Sequence, residues 1–218
     1  GALKNNTANA EALTITAGTG AVTFTGAVGA TGAGNAVGAL AVYSTGDTTF
    51  TNTVDAASVM TNAGGRVIIK GGRVTTTGTQ TYGENAFLDN ASRVTVLNTA
   101  NSAVSFAGTL KNNTANAESL TINAGTGAVT FTGAVGATGA GNAIGALVVN
   151  STDDTTFVST VDAASVTTNT GGNVFIKGGR ITTSGAQSYG ENVWLDSSLR
   201  TTAINTTNSS VSFACTLK

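Results

Sequence analysis

AVTFTGAVG, residues 21–29, alternates apolar and polar side chains and then breaks on glycine. That is the pattern of a short strand with one buried face, closed by a turn. The same nine residues return unchanged at 128–136, and around them the whole chain repeats. LKNNTANAE opens at Leu3 and again at Leu110. Residues 1–107 and 108–214 are identical at 80 of 107 positions without a gap, and residues 215–218 begin a third copy. Self-similarity at a fixed period marks a repeat architecture, in which units bury their cores against one another.

A shorter rhythm runs inside each unit. The apolar residues Phe24, Phe50, Ile69, Leu88 and Phe106 each sit in a short strand, in the phrases AVTFT, TTFTN, RVIIK, AFLDN and AVSFA. Phe131 then opens the same series in the second copy. Gly, Asn, Asp and Ser clusters separate the anchors, and no segment carries a capped 3.6-residue period. Equivalent strands at such regular intervals predict an all-β parallel β-solenoid, or β-helix, of about five coils per unit. Units 1–107 and 108–214 would then form one continuous solenoid. Each coil advances the axis by about 4.8 Å. An antiparallel sandwich is the alternative, but hairpin signals are missing.

Alternation within the strands assigns side chains to faces. It sends Phe24, Phe50, Ile69, Leu88 and Phe106 into one inward column. A second column runs through Val28, Val54, Val74 and Leu110, and a third through Leu13, Ile15, Leu40, Val42, Val59 and Val96. Three columns imply a three-sided prism, with the glycine-rich stretches 26–36 and 133–143 bulging from it. Exchanges between the copies agree with a packed interior: Val37 becomes Ile144, Val74 becomes Ile181 and Leu97 becomes Ile204.

Composition narrows the function. The chain has no His and no Pro, a net charge of −1, and only 10% charged residues. Absence of Pro suits uninterrupted strand ladders. Without a basic stripe there is no footprint for nucleic acid, and no apolar run is long enough for a membrane-spanning helix. Without His, the imidazole-dependent catalytic and metal arrangements are excluded. The acids Glu11, Asp47, Asp55, Glu84 and Asp89 recur as Glu118, Asp154, Asp162, Glu191 and Asp196. Recurring once per unit, they read as solvated turn residues rather than as the facing pair of a glycosidase. Asp153-Asp154 lacks the calcium nonapeptide pattern, and the glycine-rich stretch lacks the Lys of a phosphate loop. Neither a cofactor nor a metal is expected. Asn-x-Ser/Thr triplets at Asn5, Asn90, Asn112, Asn150, Asn205 and Asn208 are read as turn residues or stacked amide ladders.

One feature departs from this plain surface. The residue before each inward anchor faces out and is usually Thr or Ser, as at Thr23, Thr49 and Ser105. In two coils per unit it is apolar: Ile68 and Phe87 in the first, Phe175 and Trp194 in the second. These four residues are the candidate lateral-contact patch, repeating about every 24 Å on one face. Arg73, Arg93, Arg180 and Arg200 are placed to rim it.

The phrases AVTFTGAVG, ITTSGAQSYGENVWLD and SLTINAGTG, together with the short coil length, resemble the repeat regions of giant bacterial surface proteins. Those are the filamentous-haemagglutinin-like and autotransporter-type adhesins. The resemblance implies a right-handed parallel β-helix, export to the cell surface, and a role as a stalk or adhesive fibre. The expected function is therefore an extracellular structural solenoid in the shaft of a surface fibre, its partners being further copies of the repeat end to end. The alternative is a self-assembling filament or sheath subunit, joined side by side through the outward patches. A β-helical polysaccharide enzyme would need a carboxylate pair found in one unit only, and none exists.

Overall fold

The computed structural model describes residues 1–5, 10–30, 36–114, 117–137 and 143–218. Residues 31–35 and 138–142, the centres of the two stretches expected to bulge, lie outside the described residues. Among those described there are 23 strands and no helix. Every strand pairing is parallel, so the chain is an all-β parallel β-solenoid. The strands are short and rich in Val, Thr and Phe, which pack well on a pleated, half-buried surface.

The pairing register resolves three sides. The chain visits them in a fixed order: Leu13 on side A, Val22 on side B, Val28 on side C, then Leu40 directly above Leu13. Side A carries the inward ladder Leu13–Leu40–Val59–Gln80–Val104–Val129–Thr155–Val174–Val193, so eight turns separate its ends. Side B carries Val22–Thr48–Val67–Ala86–Leu110–Val135–Val161–Ile181–Ile204. Side C carries Leu3–Val28–Val54–Val74–Leu97–Ile122–Val149–Thr168–Tyr189–Phe213.

These ladders show that the repeat and the coil are out of step. Val22 lies on side B, but its counterpart Val129 lies on side A. Leu13 lies on side A and its counterpart Leu120 on side C. Fourteen sides, not fifteen, separate one residue from its equivalent. Each unit is thus four and two-thirds coils, and every feature of the first copy reappears one side round in the second. The advance per unit is about 22 Å at the usual strand spacing.

Three inward assignments are corrected by this register. Phe106 does not continue the column Phe24–Phe50–Ile69–Leu88, which passes instead to Asn112; Phe106 stands on Tyr82 on side A. The reason is that residues 80–88 hold two strands on adjacent sides, Gln80–Tyr82 and Asn85–Leu88. Leu97, not Leu110, continues Val28–Val54–Val74. Val96 faces out, with Thr95 and Leu97 fully buried on either side of it and Val94 45% exposed.

Parallel, in-register stacking places like on like. Tyr82, Phe106, Phe131 and Phe157 form a run of stacked rings with centroids 4.9, 5.4 and 5.3 Å apart. That run crosses from the first copy to the second without a break. Gln80 and Tyr82 show how polar groups enter this core. The Tyr82 hydroxyl donates to Gln80 Oε1 at 3.0 Å, and Gln80 Nε2 donates to the Asn98 carbonyl at 2.9 Å. Gln187 and Tyr189 repeat the arrangement. Hydrogen bonds of this kind offset the desolvation that buried polar groups would otherwise suffer.

Candidate functional site

Ile68 and Phe87 are register partners on side B, in the outward column Thr23–Thr49–Ile68–Phe87–Lys111. Phe175 and Trp194 are partners on side A, above Thr130 and Thr156, with ring centroids 6.3 Å apart. Each pair is stacked on adjacent coils as its spacing predicts. The two pairs do not share a face, because the repeat turns by one side per unit.

The protein's own side chains largely cover these residues. Ile68 is 7% exposed and Phe87 and Phe175 are half-buried, whereas Trp194 is 36% exposed. Arg66 lies over the Phe87 ring at 5.3 Å, and Lys177 over Phe175 at 5.8 Å. Lys218 lies over Trp194 at 4.3 Å, while Trp194 Nε1 donates to Asn173 Oδ1 at 3.1 Å. Lys111, the counterpart of Lys218, is the register partner of Phe87. Lys218, at the start of the third copy, therefore sits on an outward aromatic of the copy before it, and Lys111 holds the equivalent register position beside Phe87. Cation–ring contacts at exposed sites contribute about 0.5–1 kcal/mol each, so the patch also fastens one repeat to the next.

The charged rim differs from the expected one. Arg66, Lys70 and Lys177 surround the patch, paired with Asp47, Asp89 and Asp196. Arg73 is engaged on side C, where its guanidinium holds Asp55 through two bonds of 2.8 and 2.9 Å. Arg180 holds Asp162 in the same way at 2.7 and 2.8 Å on side B. Arg93 and Arg200 occupy left-handed turn positions, with φ of 58° and 55°.

Several acids are not solvated turn residues. Asp55, Glu84, Glu118, Asp162 and Glu191 are each no more than 5% exposed. The aspartates are buried because arginine closes over them. A positive-φ glycine abuts each from the coil below: a Cβ on Gly29, at φ 66°, would fall 2.1 Å from the Asp55 carbonyl oxygen. Glu118 accepts the Asn90 amide hydrogen at 2.8 Å, and its pKa is raised by burial. Glu84 and Glu191 lie at interior corners, and burial raises each pKa to about 7.

The amide ladder expected from the Asn content exists on side C. Asn150 Nδ2 donates to Asn123 Oδ1 at 2.7 Å, and Asn123 Nδ2 to Asn98 Oδ1 at 2.8 Å. Asn112 instead braces a loop, donating to the Ala143 carbonyl at 2.8 Å. Among the described residues, no group of three or more Cys, Asp or Glu converges to hold a metal.

No family model, no curated protein and no solved structure matches the chain. Function is therefore argued from the solenoid and its side chains. The arginine clasps, the inward Gln–Tyr pairs and the interior glutamates escaped a reading based on apolar anchors. Their signal was present in the copy comparison: Asp55, Arg73, Gln80, Tyr82 and Glu84 are all unchanged in the second copy, although the surface around them varies.

Proposed function

We propose that the chain is an extracellular structural β-solenoid, a length of shaft in a long cell-surface fibre. The observation that carries this reading is continuity across the repeat boundary. The backbone ladder passes through Val104–Val129 and Leu110–Val135 unbroken, and the stacked rings Phe106 and Phe131 span the same joint. A rod that extends by adding identical units, each stabilising its neighbour, is what a shaft requires. It needs neither an active site nor a cofactor. Resemblance to surface-adhesin repeats supports the location outside the cell.

Arrays of two, four and six units test this by electron microscopy. The shaft reading predicts rods that lengthen by about 22 Å per unit; compact particles or folded-back arrays would contradict it. Surface placement is tested by antibody labelling of intact source cells, where labelling only after lysis would exclude it.

A second reading, lateral assembly into a filament or sheath, draws on the partly exposed Trp194 indole stacked on Phe175. Replacing Phe175 and Trp194 by Thr then abolishes side-by-side bundles while leaving the solenoid intact. Unchanged bundles would remove it.

A further inference from the structure

Glu84 and Glu191 stand apart from the other acids of the chain. Each follows an inward Gln-x-Tyr strand and turns into the corner before the next side, leaving 5% and 2% of the residue exposed. Neither takes part in any ion pair among the described residues. Glu84 Oε2 and both carboxyl oxygens of Glu191 are buried without a hydrogen-bond partner, as are the Thr61 and Thr168 hydroxyls on the coil below. The coil above brings no countercharge. Over Glu84 it places Gly108, and over Gly190-Glu191 it places the thiol of Cys215, which donates to the Gly190 carbonyl at 3.4 Å. The remaining titratable groups facing these sites are the Tyr82 phenol at Glu84 and Asp154 at Glu191. No cation faces either site: the Thr61 and Thr168 side chains, and at Glu84 the backbone of Gly83 and Glu84, favour the ionised form, but burial outweighs them.

We propose that Glu84 and Glu191 are held inside the prism as neutral acids and form a pH-sensitive joint, one per repeat, that loosens the shaft when they ionise. A protonated carboxyl supplies one O–H donor and can give or take a hydrogen bond with the threonine hydroxyl, whereas a carboxylate has only acceptors, which that single hydroxyl cannot satisfy, and it draws water into the corner. The raised pKa of about 7 in both copies agrees with this geometry. Between the ordinary glutamate pKa near 4.3 and that value, the folded chain holds protons that the unfolded chain has released. Stability therefore falls as pH rises through this window and is level above it. A solenoid with one joint per unit would stiffen in acid and become compliant above neutrality, on whatever it is mounted.

Thermal unfolding of the whole chain between pH 5 and 8.5 tests the proposal. The unaltered protein is expected to lose roughly 10–20 °C of midpoint across that range. Glu84→Gln with Glu191→Gln, uncharged and of the same shape, should keep most of the acid-side midpoint at pH 8.5, leaving only the smaller slope from Glu118. Full retention of the slope in that variant would overturn the proposal. Should the variant fail to fold, carbon-13 NMR titration of the unaltered protein decides. Carboxyl midpoints near 7 for both residues support the joint, and midpoints near 4.3 overturn it.

Discussion

Removal of one ring from the stacked column gives the sharpest test of the interior. Phe131 is 1% exposed and lies between Phe106 and Phe157, with centroids 5.4 and 5.3 Å away. Phe131→Ala withdraws the transfer free energy of a buried aromatic, about 2–3 kcal/mol. The cavity left behind adds on the order of 2 kcal/mol, because the ladder fixes the strands above and below at their spacing and prevents collapse. Loss of two ring contacts falls within the same total, for an expected destabilisation of about 4 kcal/mol. Thr130→Ala, one residue away on the outer surface, should change stability by less than about 0.5 kcal/mol. Urea denaturation followed by circular dichroism measures both. Because solenoids unfold by neighbouring segments, fluorescence of Trp194, several coils from the lesion, should report a later transition than the bulk signal. Comparable effects of the two substitutions, or a loss below about 1 kcal/mol for Phe131→Ala, would refute the inward column.

The corrected alternation at residues 94–99 yields a second prediction. Leu97→Ala should cost about 2–4 kcal/mol and Val96→Ala under about 1 kcal/mol, measured by the same denaturation; the reverse order would restore the opposite facing. Arg73→Ala strands Asp55, whose side chain is 5% exposed, without its bidentate partner. The arginine itself is 31% exposed, which places the loss below that of a fully buried pair. We expect it to be about 2 kcal/mol. Asp55→Asn in the Arg73→Ala background should recover part of it, and a double-mutant cycle without coupling would contradict the clasp. Gly29→Ala should lower stability by at least about 1 kcal/mol in the same assay, since its φ is 66° and the Asp55 carbonyl fills the Cβ position.

Fold class was legible because apolar anchors, turn residues and the period all point to one architecture. Side assignment was only partly legible. Anchors at near-equal spacing invited a single column, but Gln80–Tyr82 is a strand whose inward residues are polar by composition and buried by virtue of mutual hydrogen bonds. Without that strand the unit counts as fifteen sides rather than fourteen, and the rotation of every feature between copies goes unnoticed. Thr95 and Leu97 face in, so the inward placement of Val96 is one residue out of phase, and Val94 and Val96 both face out. Their counterparts Thr201 and Ala203 vary in polarity and size while Leu97 becomes only Ile204, which is the mark of the inward residue. The outward patch was legible as a pair of adjacent apolar residues. Its covering by Arg66, Lys177 and Lys218 was not, because those cations arrive from strand ends and from the following copy.

Parallel stacking with a one-side turn per repeat is tested most directly by paired cysteines in a Cys215→Gly background. Ser105→Cys with Thr130→Cys joins register partners on side A, whose separation of about 4.8 Å suits a disulfide. Phe87→Cys with Ser105→Cys joins positions that a five-coil repeat would stack but that here lie on different sides. Mild oxidation should close the first pair and leave the second as free thiols. Closure of the Phe87–Ser105 pair in the folded monomer, or failure of both, would contradict the account.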